Sequence, residues 1–161
     1  DAVRVVIKPI WNAWYFFALY ANTDGIRARL RTDSEQLLDR YILAKTSELV
    51  TGIAESLDAY DLSGACQRFV DHLDALNNWH IRRSRDRFWR SGEANDKDKQ
   101  DAYDTLYTVL VTLCRAVSPL LPLLTEEQIM GVSGFAIFTG TCKLLREIFE
   151  YFVLDSINST L

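Results

Sequence analysis

The chain has 161 residues, 48% of them hydrophobic and 25% charged; this is ordinary globular composition, with length enough for a core of its own. With 7 Gly and 3 Pro it is neither collagen-like nor loop-dominated. Its 18 basic and 22 acidic residues leave a net charge of −4. No global basic field therefore draws it onto nucleic acid, and any such role has to rest on a local patch.

The pattern is helical nearly throughout. The first helix is expected over about residues 2–22, with Ile10, Trp14, Phe17 and Ala21 at helical spacing and Ala13, Leu19 and Tyr20 widening the apolar surface. Asn22-Thr-Asp-Gly25 ends it. Residues 23–32 form a polar connection in which Arg27, Arg29 and Arg31 alternate with Ile26, Ala28 and Leu30, a pattern open to a short strand or an exposed loop. Asp33-Ser-Glu-Gln36 offers a capping box for a second helix reaching about Leu57, along the line Leu38, Ile42, Lys45, Leu49, Ile53. Asp61 is the expected N-cap of a third helix over about 62–90, whose stripe is Leu73, Asn77, Ile81, Ser84 and Phe88. A turn over 91–97 leads to a fourth helix at about 98–118, with Leu106, Val109, Leu110, Leu113 and Val117 inside and Pro119 at its end. Thr125-Glu-Glu is expected to cap a further helix. Gly131, Gly134 and Gly140 then interrupt the chain before an amphipathic stretch at 142–154.

Neither apolar stretch suits a membrane. Arg4, Lys8, Pro9 and Asn12 break residues 3–22, and Arg115 with two prolines breaks 105–124, so both fall short of about 20 clean apolar residues. Buried helices of an antiparallel up-and-down bundle are the expected reading. Cys66, Cys114 and Cys142 are odd in number and give no metal-ligand spacing, which fits a reducing, intracellular compartment. The opening Asp-Ala-Val-Arg has none of the features of a signal peptide, and the chain is expected to be a piece of something longer.

Catalytic signatures are missing: no GxSxG, no Gly-rich phosphate loop, no HExxH and no His-Cys pairing. His72 and His80 lie eight residues apart, roughly 12 Å along a helix, too far to share a metal. His72, flanked by Asp71 and Asp74, is expected on a solvated face. One segment stands out, Asn77-Asn-Trp-His-Ile-Arg-Arg-Ser-Arg-Asp-Arg-Phe-Trp-Arg90, with arginine used to the exclusion of lysine. On a helix Arg83, Arg87 and Arg90 would share one flank, and Arg82, Arg85 and Trp89 the other. Guanidinium forks match phosphate oxygens, and Trp79 and Trp89 offer planes for stacking bases. That combination suits single-stranded or looped RNA. The competing reading is structural: arginines late in a helix complement its dipole and can pair with Asp71, Asp74, Asp86 or Glu93.

The run Asn78-Trp-His-Ile-Arg-Arg-Ser-Arg-Asp-Arg-Phe-Trp89 resembles a signature of the isoleucyl-tRNA synthetases, class I aminoacyl-tRNA synthetases, in their helical anticodon-binding domain. Pro9-Ile-Trp-Asn-Ala-Trp-Tyr-Phe-Phe-Ala-Leu-Tyr-Ala-Asn22, Leu38-Asp-Arg-Tyr-Ile-Leu-Ala-Lys45, Leu57-Asp-Ala-Tyr-Asp-Leu62, Leu106-Tyr-Thr-Val-Leu-Val-Thr-Leu113 and Pro119-Leu-Leu-Pro122 are similar to the family's helices in order and spacing, covering about residues 1–127. Residues 128–161 depart from the family pattern, and position 80 is His where the family commonly has Tyr, an aromatic exchange expected to change little.

The resemblance implies an all-α, up-and-down four-helix bundle over 1–127, with a divergent, helical C-terminal extension over 128–161. The implied parent ligates isoleucine to its tRNA with ATP and Mg, in the cytoplasm and as a monomer. Its catalytic domain would pack on the bundle, and Trp11, Trp14, Phe16 and Phe17 are core or interdomain contacts. The piece itself is expected to be non-catalytic, with no cofactor, metal or membrane partner. Its expected partner is tRNA, through Trp79, Arg82, Arg83, Arg85, Arg87, Trp89 and Arg90, with Asn78 a buried polar group and Arg27, Arg29 and Arg31 the next place to seek RNA contact. The alternatives are a helical protein-interaction module working through the aromatic surface of residues 10–20, or the equivalent domain of a valyl or leucyl enzyme.

Overall fold

A computed structural model describes residues 3–89, 97–121 and 125. The chain divides into two compact units, Asp1–Pro122 and Leu123–Leu161, and nearly all the described residues belong to the first. Arg90, most of the expected 91–97 turn, the helix after Thr125 and the 142–154 stretch lie outside the described residues.

Among the described residues the fold is all-α. A π-helical turn, Val3–Ile7, leads into α1, Lys8–Asp24. Then come α2, Leu37–Asp58, and α3, Leu62–Asp74. A π-helical stretch, Ala75–Ile81, joins α3 to α4, Arg82–Trp89, and α5 is Lys97–Val117. From Leu62 to Trp89 the backbone stays helical, so the described residues make four rods, the four of an up-and-down bundle. α2 packs on α3 and α5, and α1 and α4 also pack on α5.

The ends of these helices follow from local chemistry. Gly25 takes φ 63°, its N–H and that of Ile26 return to the carbonyls of Asn22 and Ala21, and Ile26 is buried against the turn. This is the Schellman arrangement, whose left-handed position favours glycine. The Asp61 carboxylate accepts from the Gly64 N–H at 2.9 Å, as expected of the N-cap of α3. A Cβ on Gly64 would overlap that carboxylate. The capping box is a correction: α2 begins at Leu37, with no side-chain cap. Asp33 is occupied by Arg31, and the Ser34 hydroxyl donates to Asp39 at 2.7 Å. The helix therefore starts one turn later than the sequence pattern suggested.

α5 is the centre of the bundle, with residues 101–111 all buried. Phe17 of α1 stacks on Tyr107, and Phe88 of α4 meets Tyr103 edge-on at 4.9 Å. The Tyr103 hydroxyl and Lys99 both bind Asp24 at the end of α1. Residues 26–36 form neither strand nor helix but are bound along α5. The Arg29 N–H donates to Asp104 at 2.8 Å, the Arg31 N–H donates to the Thr108 hydroxyl at 2.9 Å, and Gln100 donates to the Arg27 carbonyl. No helix among the described residues is long and apolar enough to cross a membrane.

His72 is a second correction. It is 5% exposed, and among the described residues neither ring nitrogen makes a hydrogen bond of full geometry, the Lys45 carbonyl being a weaker polar neighbour. Its helical neighbours Phe69 and Leu76 are buried, and they outweigh the two flanking aspartates. Burial pushes its pKa down to about 4; the Lys45 carbonyl offsets part of this, and the Lys45 ammonium adds to it. The unfolded chain thus takes up a proton below about pH 6.5 that the folded chain refuses until about pH 4. Stability is expected to fall by up to about 3 kcal/mol as pH drops through that window. His72→Leu should flatten the fall in denaturant melts at pH 7 and pH 4.5; equal slopes for both proteins would refute the assignment.

Candidate nucleic-acid interface

The arginine-rich segment straddles the π-helical stretch and α4. His72, Leu76, His80, Ser84 and Phe88 are all buried, four residues apart each time. In an α-helix each such step overshoots a full turn by about 40°, so the row would wind off the core within a few turns. The wider π turn takes up the excess and keeps the row facing inward. Its side effect is on the opposite face, where the residues between these anchors are held outward. The Arg82 N–H reaches back to the Asn77 carbonyl, five residues away, and the Asn77 side chain donates to the Leu73 carbonyl at 2.9 Å. Such insertions occur frequently at functional sites.

Arg82, Arg83 and Arg85 are exposed, and Trp79 and Trp89 are 48% and 52% exposed. Among the described residues no carboxylate forms an ion pair with these three arginines. Two of them lie over tryptophans instead. The Arg83 guanidinium sits 4.0 Å from the centre of the Trp79 ring, and that of Arg85 sits 5.9 Å from Trp89. Trp89 also approaches Tyr20 of α1 at 6.4 Å. Asp86 of the same segment is also exposed. The result is a ridge with a cation and an aromatic plane on each side, able to meet phosphate charge and to stack unpaired bases.

Two expected placements are corrected. Asn78 is exposed and donates to Asp74 of its own helix, so it is not at the bundle centre. Arg87 does not share an outward flank with Arg83. It turns into the bundle, 12% exposed, and forks onto the fully buried Asp39 at 2.8 and 3.0 Å. It also meets the Asp98 carbonyl and carboxylate. Its guanidinium is thereby committed within the fold.

Sequence reading missed Asp39 altogether. This carboxylate of α2 also faces the buried His80 ring at 3.2 Å and accepts from Ser34. Burial alone would raise its pKa; hydrogen bonds from His80, Arg87 and Ser34 outweigh that and hold it well below the usual carboxylate range. His80 is thus more than an aromatic filler. One buried acid joins α2, the π-helical stretch, α4 and the start of α5 beneath the exposed ridge. Trp14 and Phe17 are core, Phe16 packs on Phe88, and Trp11 is 48% exposed. No metal-binding cluster exists among the described residues.

A family model described as the anticodon-binding domain of tRNA ligase matches residues 39–151. The chain belongs to that family. The matched span holds Asp39 at its first position and all of the exposed ridge, and it takes in part of the segment after residue 127. Curated relatives include the isoleucine–tRNA ligases of Leifsonia xyli subsp. xyli, 52% identical over 83% of this chain, and of Wolbachia pipientis wMel, 48% identical over 82%. That of Rickettsia typhi is 45% identical over 91%. The chain spans about 12–13% of the length of these relatives.

Proposed function

We propose that this domain binds the anticodon region of isoleucine tRNA for an isoleucine–tRNA ligase, with Trp79, Arg82, Arg83, Arg85 and Trp89 as the RNA-facing residues; Arg90, outside the described residues, joins them on sequence alone. The observation that carries the reading is the ridge. Three arginines with no carboxylate partner among the described residues and two half-exposed tryptophans emerge from the same short helical segment of an acidic chain. Single-stranded and looped RNA is read by stacking and by guanidinium contact of this kind. The choice of isoleucine rests on the relatives, each named an isoleucine–tRNA ligase. The anticodon bundle is taken to extend over 1–127, with 128–161 as an extension of it.

The parent enzyme is inferred to be a cytoplasmic monomer that activates isoleucine with ATP and Mg in a separate catalytic domain. That domain has a natural seat on the exposed stripe Trp11, Tyr15 and Leu19, which runs at four-residue steps along α1. Replacing Arg82, Arg83 and Arg85 together by Gln in the full-length ligase is expected to raise KM for tRNA roughly tenfold or more. Isoleucine-dependent pyrophosphate exchange, which needs no tRNA, should keep its rate. An unchanged KM for tRNA would remove the ridge from RNA binding, and isoleucine-independent exchange would overturn the specificity.

A further inference from the structure

Resting on the reading just given, we propose a second RNA contact: Arg27 and Arg29 clamp successive phosphates of the bound tRNA, acting as a sequence-blind anchor beside the base-reading ridge. The observation is a mismatch in how the 26–36 connection is held. Its backbone is fixed to α5 at residues 27, 29 and 31, by Gln100, Asp104 and Thr108 respectively. Asp104, 2% exposed, also accepts from Gln100, and Ile26 is buried at the start of the connection. A buried carboxylate and a buried threonine are thus committed to ordering an exposed loop. Yet the Arg27 and Arg29 side chains are exposed and form no ion pair among the described residues.

The nearby acids do not neutralise them. Asp33 and Asp101 are engaged by Arg31, Glu35 by Lys97, and Asp24 by Lys99 and Tyr103. Polar backbone groups that face α5 at every second residue are the mark of extended chain. Two residues of such chain cover about 6.6 Å, close to the spacing of successive phosphates on an RNA strand. Fixing the backbone beforehand lowers the entropy cost of ordering two long side chains on a ligand. The connection and α4 both pack against the first three turns of α5, through Gln100, Asp104 and Thr108 for the one and Asp98 for the other. Both surfaces are thus carried by one helix, and the anchor requires that one polyanion engage both. Phosphate contacts set register without reading sequence, so the two surfaces divide the work.

The test is a salt titration of tRNA binding by the full-length ligase, comparing the parent with Arg27→Gln/Arg29→Gln and with Arg82→Gln/Arg83→Gln/Arg85→Gln. Each is measured with cognate tRNA and with tRNA of altered anticodon. The Arg27/Arg29 variant should melt like the parent and lower affinity for both tRNAs by the same factor. Its slope of log affinity against log salt should shrink by about 1.4 to 1.8. Between 50 and 200 mM salt it should lose about seven- to twelvefold less affinity than the parent. An unchanged slope, with the ridge variant impaired, would overturn the anchor and leave the ridge reading intact. If the ridge variant also binds like the parent, the anticodon reading fails first. A drop confined to cognate tRNA would make these arginines base readers and would overturn the anchor as proposed.

Discussion

Replacing Arg87 by Gln is expected to destabilise the domain by about 3–5 kcal/mol, because it leaves the buried Asp39 carboxylate without its main cation. In a chain of this size that lowers the melting midpoint on the order of 10 °C. Asp39→Asn should cost less, since the Arg87 guanidinium then faces a neutral amide but keeps its ion pair with Asp98. Arg87→Lys should fall between the parent and Arg87→Gln, because an ammonium keeps the charge but cannot make the two parallel bonds to Oδ1 and Oδ2. Arg83→Gln, four residues away on the same helix, should stay within about 1 kcal/mol of the parent. Urea melts of the four variants decide the matter. An Arg87→Gln midpoint equal to that of Arg83→Gln would mean that the Asp39 pair carries no net weight.

Arg83 and Arg87 also show where sequence reasoning reached its limit. Helical periodicity puts them on one flank, and in the fold they are neighbours, one outside the bundle boundary and one inside. That boundary depends on where the buried acids lie, and Asp39 stands 48 residues away in sequence. No local pattern marks it. The helices themselves were legible because apolar residues such as Leu106, Leu110, Leu113 and Val117 recur at helical spacing, and all four are buried. The start of α2 was not. Asp33 and Ser34 have the chemistry of caps, but Arg31 and Asp39 compete for them and win. The π-helical stretch was not legible either: the inward row at 72, 76, 80, 84 and 88 holds two histidines and a serine, and its course shows only in the burial.

Trp79→Ala is the variant expected to separate stacking from charge. A base stacked on an aromatic ring is worth about 1–3 kcal/mol, so affinity for cognate tRNA should fall about 5- to 150-fold. The lower part of that range is the more natural target, because the ring already carries the Arg83 guanidinium at 4.0 Å. That exposed cation–π contact is worth about 0.5–1 kcal/mol and has to be shared or given up when a base arrives. The indole brings no charge, so the salt slope should match the parent. Replacing Arg82, Arg83 and Arg85 by Gln should instead shrink the slope by about 2.1 to 2.7 if each meets a phosphate. Trp89→Ala makes a less clean probe, since its ring also packs beside Tyr20 and its loss reaches the α1–α4 contact. Trp79 has no such second aromatic neighbour among the described residues, and its removal should leave the thermal midpoint nearly unchanged. A Trp79→Ala protein that binds cognate tRNA as the parent does would strip the ring of its stacking role, and recognition at this end of the bundle would then rest on the guanidinium groups alone.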